Sequence, residues 1–246
     1  MNFSLEFTRR VVKEDAFTSQ AEQQMGTKKG LGVSTTQASE QARLLVPVKP
    51  QPDAPLLITE TTVDDSSDPQ MPTVQFKITN NTKKRIIAYA IRHDAALSNS
   101  LFPGTVAMNS PDRNRAFQAG ASAQLEITGI RYGERPKSMT LSVDFVEFVG
   151  GTRWGPDTFK HGEVIDGLRA GAKMMKEEML KALEVESPEV FIHSLDSINV
   201  EPDQSNLHSS EWSEGFRSGV GWMRERVRRK GKDLVEIKRE LRQSID

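Results

Sequence analysis

The sequence predicts a mainly β fold with added α, an antiparallel β-sandwich followed by a C-terminal helical hairpin. Three observations carry that expectation. Apolar residues recur at every second position in short runs from 55 to 156, turns rich in Asn, Pro and Gly separate the runs, and from Ile165 the apolar spacing changes to three and four. The 246 residues divide into an N-terminal arm with a Pro-rich linker (1–54), a sandwich domain (55–156) and a helical region (157–246).

The arm is polar throughout and ends in VPVKPQPDAP, where Pro47, Pro50, Pro52 and Pro55 favour an extended linker. It reads as disordered. Its one patterned piece, Phe3, Leu5 and Phe7, alternates as an added edge strand would, in this molecule or another, or belongs to a frayed terminus. The first residues carry Glu6, Arg9, Arg10, Lys13, Glu14 and Asp15 with no apolar stretch between them, unlike a secretory signal. As written the chain reads as cytoplasmic, with export left open to a start site further upstream. No run approaches the roughly 18 apolar residues of a membrane span.

In the sandwich domain, PTVQFKITN sets Val74, Phe76 and Ile78 on one face against Thr73, Gln75, Lys77 and Thr79 on the other, the pattern of a half-buried strand. After a turn at Asn80-Asn81-Thr82, RIIAYAIRH is apolar on both faces, as a central strand is. ASAQLEI turns Ala123, Leu125 and Ile127 inward, and SMTLSVDF supplies Met139, Leu141, Val143 and Phe145. The adjacent apolar pair Phe145-Val146 predicts a bulge that switches the inward face there. VDFVEFVGGTRWGPD then turns at Val149-Gly150-Gly151 with Gly151 left-handed, which sets Val146 opposite Trp154, Glu147 opposite Arg153 and Phe148 opposite Thr152. Pro156 blocks further sheet pairing, and Asp157 is placed to cap the next helix.

In the helical region Leu168, Ala172, Met175, Met179 and Leu183 form one stripe. Trp212, Phe216, Val220, Met223 and Val227 form a second, continued past Gly231 by Leu234, Ile237 and Leu241. The two segments also match letter by letter. DGLRAGAKMMKE, from Asp166, lies over EGFRSGVGWMRE, from Glu214, with Gly167 over Gly215 and Gly171 over Gly219. Each such glycine costs a helix about 1 kcal/mol relative to alanine. Its presence in both copies predicts close backbone approach of the two helices around an approximate two-fold, within a chain or between chains; clearance of a bulky sandwich residue is the alternative.

Composition narrows the chemistry. With a formal net charge of -1, any charged partner must be met by a local patch. The chain has no cysteine, which removes disulfides and thiolate sites. His93, His161, His193 and His208 stand at no metal-ligand spacing, and no phosphate-binding loop or nucleophile elbow occurs, so no cofactor or metal is expected. His93-Asp94 and the carboxylates Asp144 and Glu147 are the candidate acid–base groups, each with a structural alternative: a strand-end pair, and an ion pair with Arg153. The expectation is a protein that is not an enzyme. The basic run RERVRRKGK places Arg224, Arg226, Arg228, Arg229, Lys230 and Lys232 around Val227. It either holds phosphates of nucleic acid or anionic lipid, or forms a solvated, salt-bridging face where cations oppose the helix dipole.

FKITNNTKKRIIAYAIRH, AFQAGASAQLEI and VDFVEFVGGTRWGPD together resemble an immunoglobulin-like or fibronectin-like β-sandwich found in many uncharacterised bacterial proteins. The resemblance covers Pro55 to Asp157 and implies the fold without bringing catalytic or binding residues. The paired cysteines of antibody-type domains are missing, so nothing of antibody recognition carries over. The functional expectation is a scaffold or interaction protein that binds a protein partner, or itself, through the sandwich edge or the C-terminal helices. Nucleic-acid or anionic-membrane contact through 224–232 is the alternative.

Overall fold

The computed structural model describes residues 44–109, 116–185, 187–202, 208–230 and 233–242; Phe3, Leu5 and Phe7 lie outside them. Among the described residues seven strands form: β1 (Leu56–Asp64), β2 (Thr73–Asn80), β3 (Ile86–Ala96), β4 (Leu101–Asn109), β5 (Ser122–Ile127), β6 (Ser138–Phe148) and β7 (Arg153–Trp154). They pair antiparallel into a three-stranded sheet, β1-β2-β5, and a four-stranded sheet, β4-β3-β6-β7. Val74, Phe76 and Ile78 of the first sheet share one buried cluster with Tyr89, Ile91, Met139, Leu141 and Val143 of the second, so the inner faces make a common core.

The face switch in β6 falls one step earlier than the apolar pair predicts. Ile91 pairs with Val143 and Ala90 with Phe145, which leaves Asp144 as the extra residue. Val143 and Val146 enter the common core, whereas Phe145 lies on the outer face with Ala88, Ala90 and Ile165. The cause is the chain that returns past it: Asp157 N donates to Asp144 O at 3.0 Å, and a side chain at Gly155 would overlap the same carbonyl. Beyond the bulge the register is the expected one. Val146 faces Trp154, Glu147 faces Arg153, and Phe148 N donates to Thr152 O at 2.9 Å around a left-handed Gly151.

Part of the stretch read as a linker belongs to the four-stranded sheet. Leu45 and Val48 bridge Ser138 and Leu141 in parallel, Lys49 N donates to Leu141 O at 2.8 Å, and the Gln51 amide both donates to and accepts from the Val143 backbone. Prolines hold this backbone extended, and the half of β6 that the short β7 leaves uncovered supplies its partners.

Four helices follow among the described residues: α1 (His161–Val185), α2 (Pro188–Ser194), α3 (Ser210–Arg228) and α4 (Leu234–Arg242). The Asp157 carboxylate accepts from His161 N at 2.6 Å and Gly162 N at 2.9 Å, satisfying two donors that the first turn of α1 cannot pair internally. Ser209 caps α3 in the same way, its hydroxyl accepting from Trp212 N. Ile165 seats the start of α1 on the outer face of the four-stranded sheet, while Met175, Met179, Met223, Val227, Ile237 and Leu241 build a second core with Phe191 of α2.

α1 and α3 do not form a hairpin; they run parallel. Gly167 packs on the backbone of Trp212 and Phe216, and Gly171, one turn on, packs on Phe216; reciprocally, Gly215 packs on Val164 and Leu168, and Gly219 on Leu168 and Ala172. Contacts thus advance in the same direction on both helices. Lys160, just before α1, also lies 3.6 Å from Glu211 at the start of α3. The repeat shift is 48 residues (215 − 167), which carries Val164 onto Trp212 and Leu168 onto Phe216, so the two contact sets exchange about a two-fold along the pair. The repeat alone is compatible with either orientation. The connection decides: residues 186–209 include α2 and can return along a helix about 37 Å long, whereas a hairpin needs only a short loop.

Candidate functional site

Asp144 and Glu147, the carboxylates with the strongest look of acid–base chemistry, are each only 1% exposed and lie on the outer face of β6 beneath the start of α1. Glu147 Oε1 accepts from Arg169 Nη1 at 2.6 Å, and Oε2 meets Arg153 Nη2 at 3.5 Å; Arg153 reaches on to Asp166. Arg169 is thus the nearer partner, where the hairpin register alone pointed to Arg153. Asp144 Oδ1 accepts from Thr158 Oγ1 at 2.7 Å. His161 stands beside them with Nε2 3.2 Å from Thr105 Oγ1, and burial lowers its imidazole pKa against the opposing pull of Asp157 and Asp144. These groups tie sheet to helix: both Glu147 oxygens meet guanidinium groups, which compensates a carboxylate that would otherwise be costly to bury.

His93 faces the other way. It is fully buried in the common core, neither ring nitrogen has a hydrogen-bond partner, and its ring lies over Gly104 where a side chain would overlap it. Burial pushes its pKa down to about 4, so the ring is neutral. Its neighbour Asp94 turns to the outer face and accepts three hydrogen bonds from Arg92 at 2.8–2.9 Å, so His93 and Asp94 are not brought together as an acid–base pair.

The basic run is largely engaged within the chain. Arg224 donates to the carbonyls of Leu195 and Ile198 at 3.0 Å, closing the turn after α2. Arg228 pairs with Asp196 at 2.7 Å, Arg229 with Glu225 at 3.0 Å, Lys230 with Glu236 at 3.6 Å, and Arg226 lies 4.9 Å over the Trp222 ring. Lys232 lies outside the described residues. Gly167, Gly171, Gly215 and Gly219 are occupied by the α1–α3 crossing within one chain.

The strand edges differ in how they are finished. β1 carries a bulge in which Glu60 and Thr61 stand opposite Phe76, with Glu60 at φ 52°. β4 contains Pro103, which has no N–H to offer, and the outer side of β6 is taken by residues 45–51 and β7. β5 has neither device: it pairs with β2 alone among the described strands, without proline or bulge. The bond from Asn80 N to Ala121 O fixes the alternation, so that Ala123 and Leu125 bond β2 while Ser122, Gln124 and Glu126 turn their N–H and C=O outward. The side chains of those three are exposed, and Ala123, Leu125 and Ile127 face the core side. The surface also bears two open troughs of about 470 Å³, one beside Pro52, Lys84, Phe148 and Trp154 and one along α4. Among the described residues no three His, Asp or Glu gather as a metal site, and no helix is long and apolar enough to cross a membrane.

Sequence comparison finds no matching protein family and no matching curated protein. The chain is similar to a solved structure of a hypothetical protein from Peptoclostridium difficile 630, with 12% identity over 45% of this chain and 91% of that one, at a TM-score of 0.31.

Proposed function

We propose that the chain is a non-catalytic interaction module that presents the β5 edge to an extended segment of a partner protein. The unguarded edge of β5 carries this reading. A strand added there gains main-chain hydrogen bonds from Ser122, Gln124 and Glu126 and extends the β1-β2-β5 sheet to four strands. The grouping of strands one, two and five against three, four, six and seven supports an immunoglobulin-like sandwich of the fibronectin kind. The glycine faces of α1 and α3 are spent on each other, which leaves association to the sheet rather than to the helix crossing. The carbonyl hydrogen bonds of Arg224 and the internal ion pairs of Arg228 and Arg229 favour a structural part for the basic run over a phosphate-binding one.

The test is capture from nuclease-treated source-cell extract with the tagged full chain and with Gln124→Pro, read by mass spectrometry. Proline at 124 removes an outward N–H and leaves the bonds to β2 in place. The expected result is a nuclease-resistant partner retained by the parent chain and lost by the variant, with unchanged circular dichroism. Equal capture by both removes β5 from the interface.

A further inference from the structure

The C-terminal end of the chain holds a charge asymmetry that the fold leaves half used. Residues 224–242 contain nine Lys and Arg and four Asp and Glu, a net +5 (9 − 4), in a chain whose total is -1. The α3 share of that charge is engaged within the chain: Arg224 and Arg228 at the turn after α2, Lys230 at the start of α4, Arg226 and Arg229 on α3 itself. The α4 share faces outward. Ile237 and Leu241 are buried in the helical core, so the opposite face carries Val235, Lys238, Arg239 and Arg242, at i, i+3, i+4 and i+7. These four line the second trough, and Val235 is 77% exposed. Arg239 pairs with Glu236, while Lys238 and Arg242 make no ion pair among the described residues.

A valine standing in water among three cations is not explained by the packing of α4 itself. An anionic bilayer matches both halves of the pattern. Its phosphates and carboxylates meet the cations, and its hydrocarbon boundary takes the valine and the aliphatic stems of the basic side chains. Nucleic acid supplies the charge without an apolar phase, and this face has no aromatic residue on which a base could stack. We propose that the α4 face formed by Val235, Lys238, Arg239 and Arg242 docks on an anionic membrane surface. The proposal stands apart from the β5 edge, which lies on another element.

The test is co-sedimentation of the full chain with phosphatidylcholine vesicles, with and without phosphatidylserine, across a salt series. Binding is expected only with phosphatidylserine and should fall as salt rises. The combined variant K238Q/R239Q/R242Q should weaken it roughly a hundredfold, since each cation near such a surface contributes about fivefold. Val235→Ser should weaken it a few-fold without changing the salt dependence, and K83Q/K84Q, in the turn between β2 and β3, should leave it intact. Binding to phosphatidylcholine alone, binding that survives the triple variant, or capture of single-stranded RNA in place of vesicles would each overturn the assignment.

Discussion

A methyl group added at Gly219 would overlap the Leu168 carbonyl oxygen across the α1–α3 crossing, whereas one added at Gly221, two residues on, meets nothing within 4 Å. Alanine raises helix propensity equally at both sites, by about 1 kcal/mol. Gly221→Ala should therefore stabilise the protein by up to about that amount. Gly219→Ala should destabilise it by roughly 1–3 kcal/mol once overpacking is set against propensity. Urea midpoints of the two variants provide the comparison, and a shift in the same direction would show that the crossing is looser than described. His93 supplies a second residue-scale test. Above about pH 6.5 the ring is neutral in folded and unfolded chains; between there and about 4 the unfolded chain takes up a proton that the buried ring refuses. This contribution to stability is thus complete above 6.5 and declines as pH falls, by on the order of 3 kcal/mol in total. His93→Leu should flatten that part of the stability curve, and an unchanged slope in the variant would assign the acid sensitivity to other groups.

At the scale of elements, the glycine repeat was plain in the sequence and the direction of the helices was not. Facing glycines explain a close crossing whether the pair is parallel or antiparallel, and only the long return through α2 favours the parallel form. Lys160 and Glu211 distinguish the two. They are in contact at the shared end of the parallel pair and would stand about 30 Å apart in a hairpin. Because the chain has no cysteine, K160C/E211C gives a clean probe: a short bismaleimide should link the two sites within one chain, and failure to link them would restore the hairpin. Strand legibility followed burial. β2 and β5 alternate because one face of each is wet, and β3 is apolar on both faces because Ala88 and Ala90 lie under α1. β4 escaped notice because Pro103-Gly104 reads as a turn; an edge strand tolerates the proline, and His93 packs over the glycine. Residues 45–51 escaped for a similar reason, since proline-held extended chain looks the same free in solution or bridged to β6.

For the whole molecule, the join after β7 is a structural corner. Gly155 clears the Asp144 carbonyl, Asp157 caps α1, and Glu147, Arg153, Arg169 and Asp166 tie the helix back to the sheet it has just left. Of this tertiary wiring, the sequence carried the Asp157 cap and the pairing of Glu147 with Arg153; the rest was not visible in the spacing of the residues, because Arg169 is brought in from 22 positions away. With the carboxylates and most of the basic run committed internally, the surfaces left open are the outer face of α4 and an unfinished sheet edge, which no motif marks. The most direct measurement is amide hydrogen exchange at Ser122, Gln124 and Glu126, with and without the partner recovered by capture. Added-strand binding predicts that these three outward amides gain protection while those of Ala123 and Leu125, already bonded to β2, change little. Unchanged exchange at all three in the saturated complex would contradict strand addition at β5.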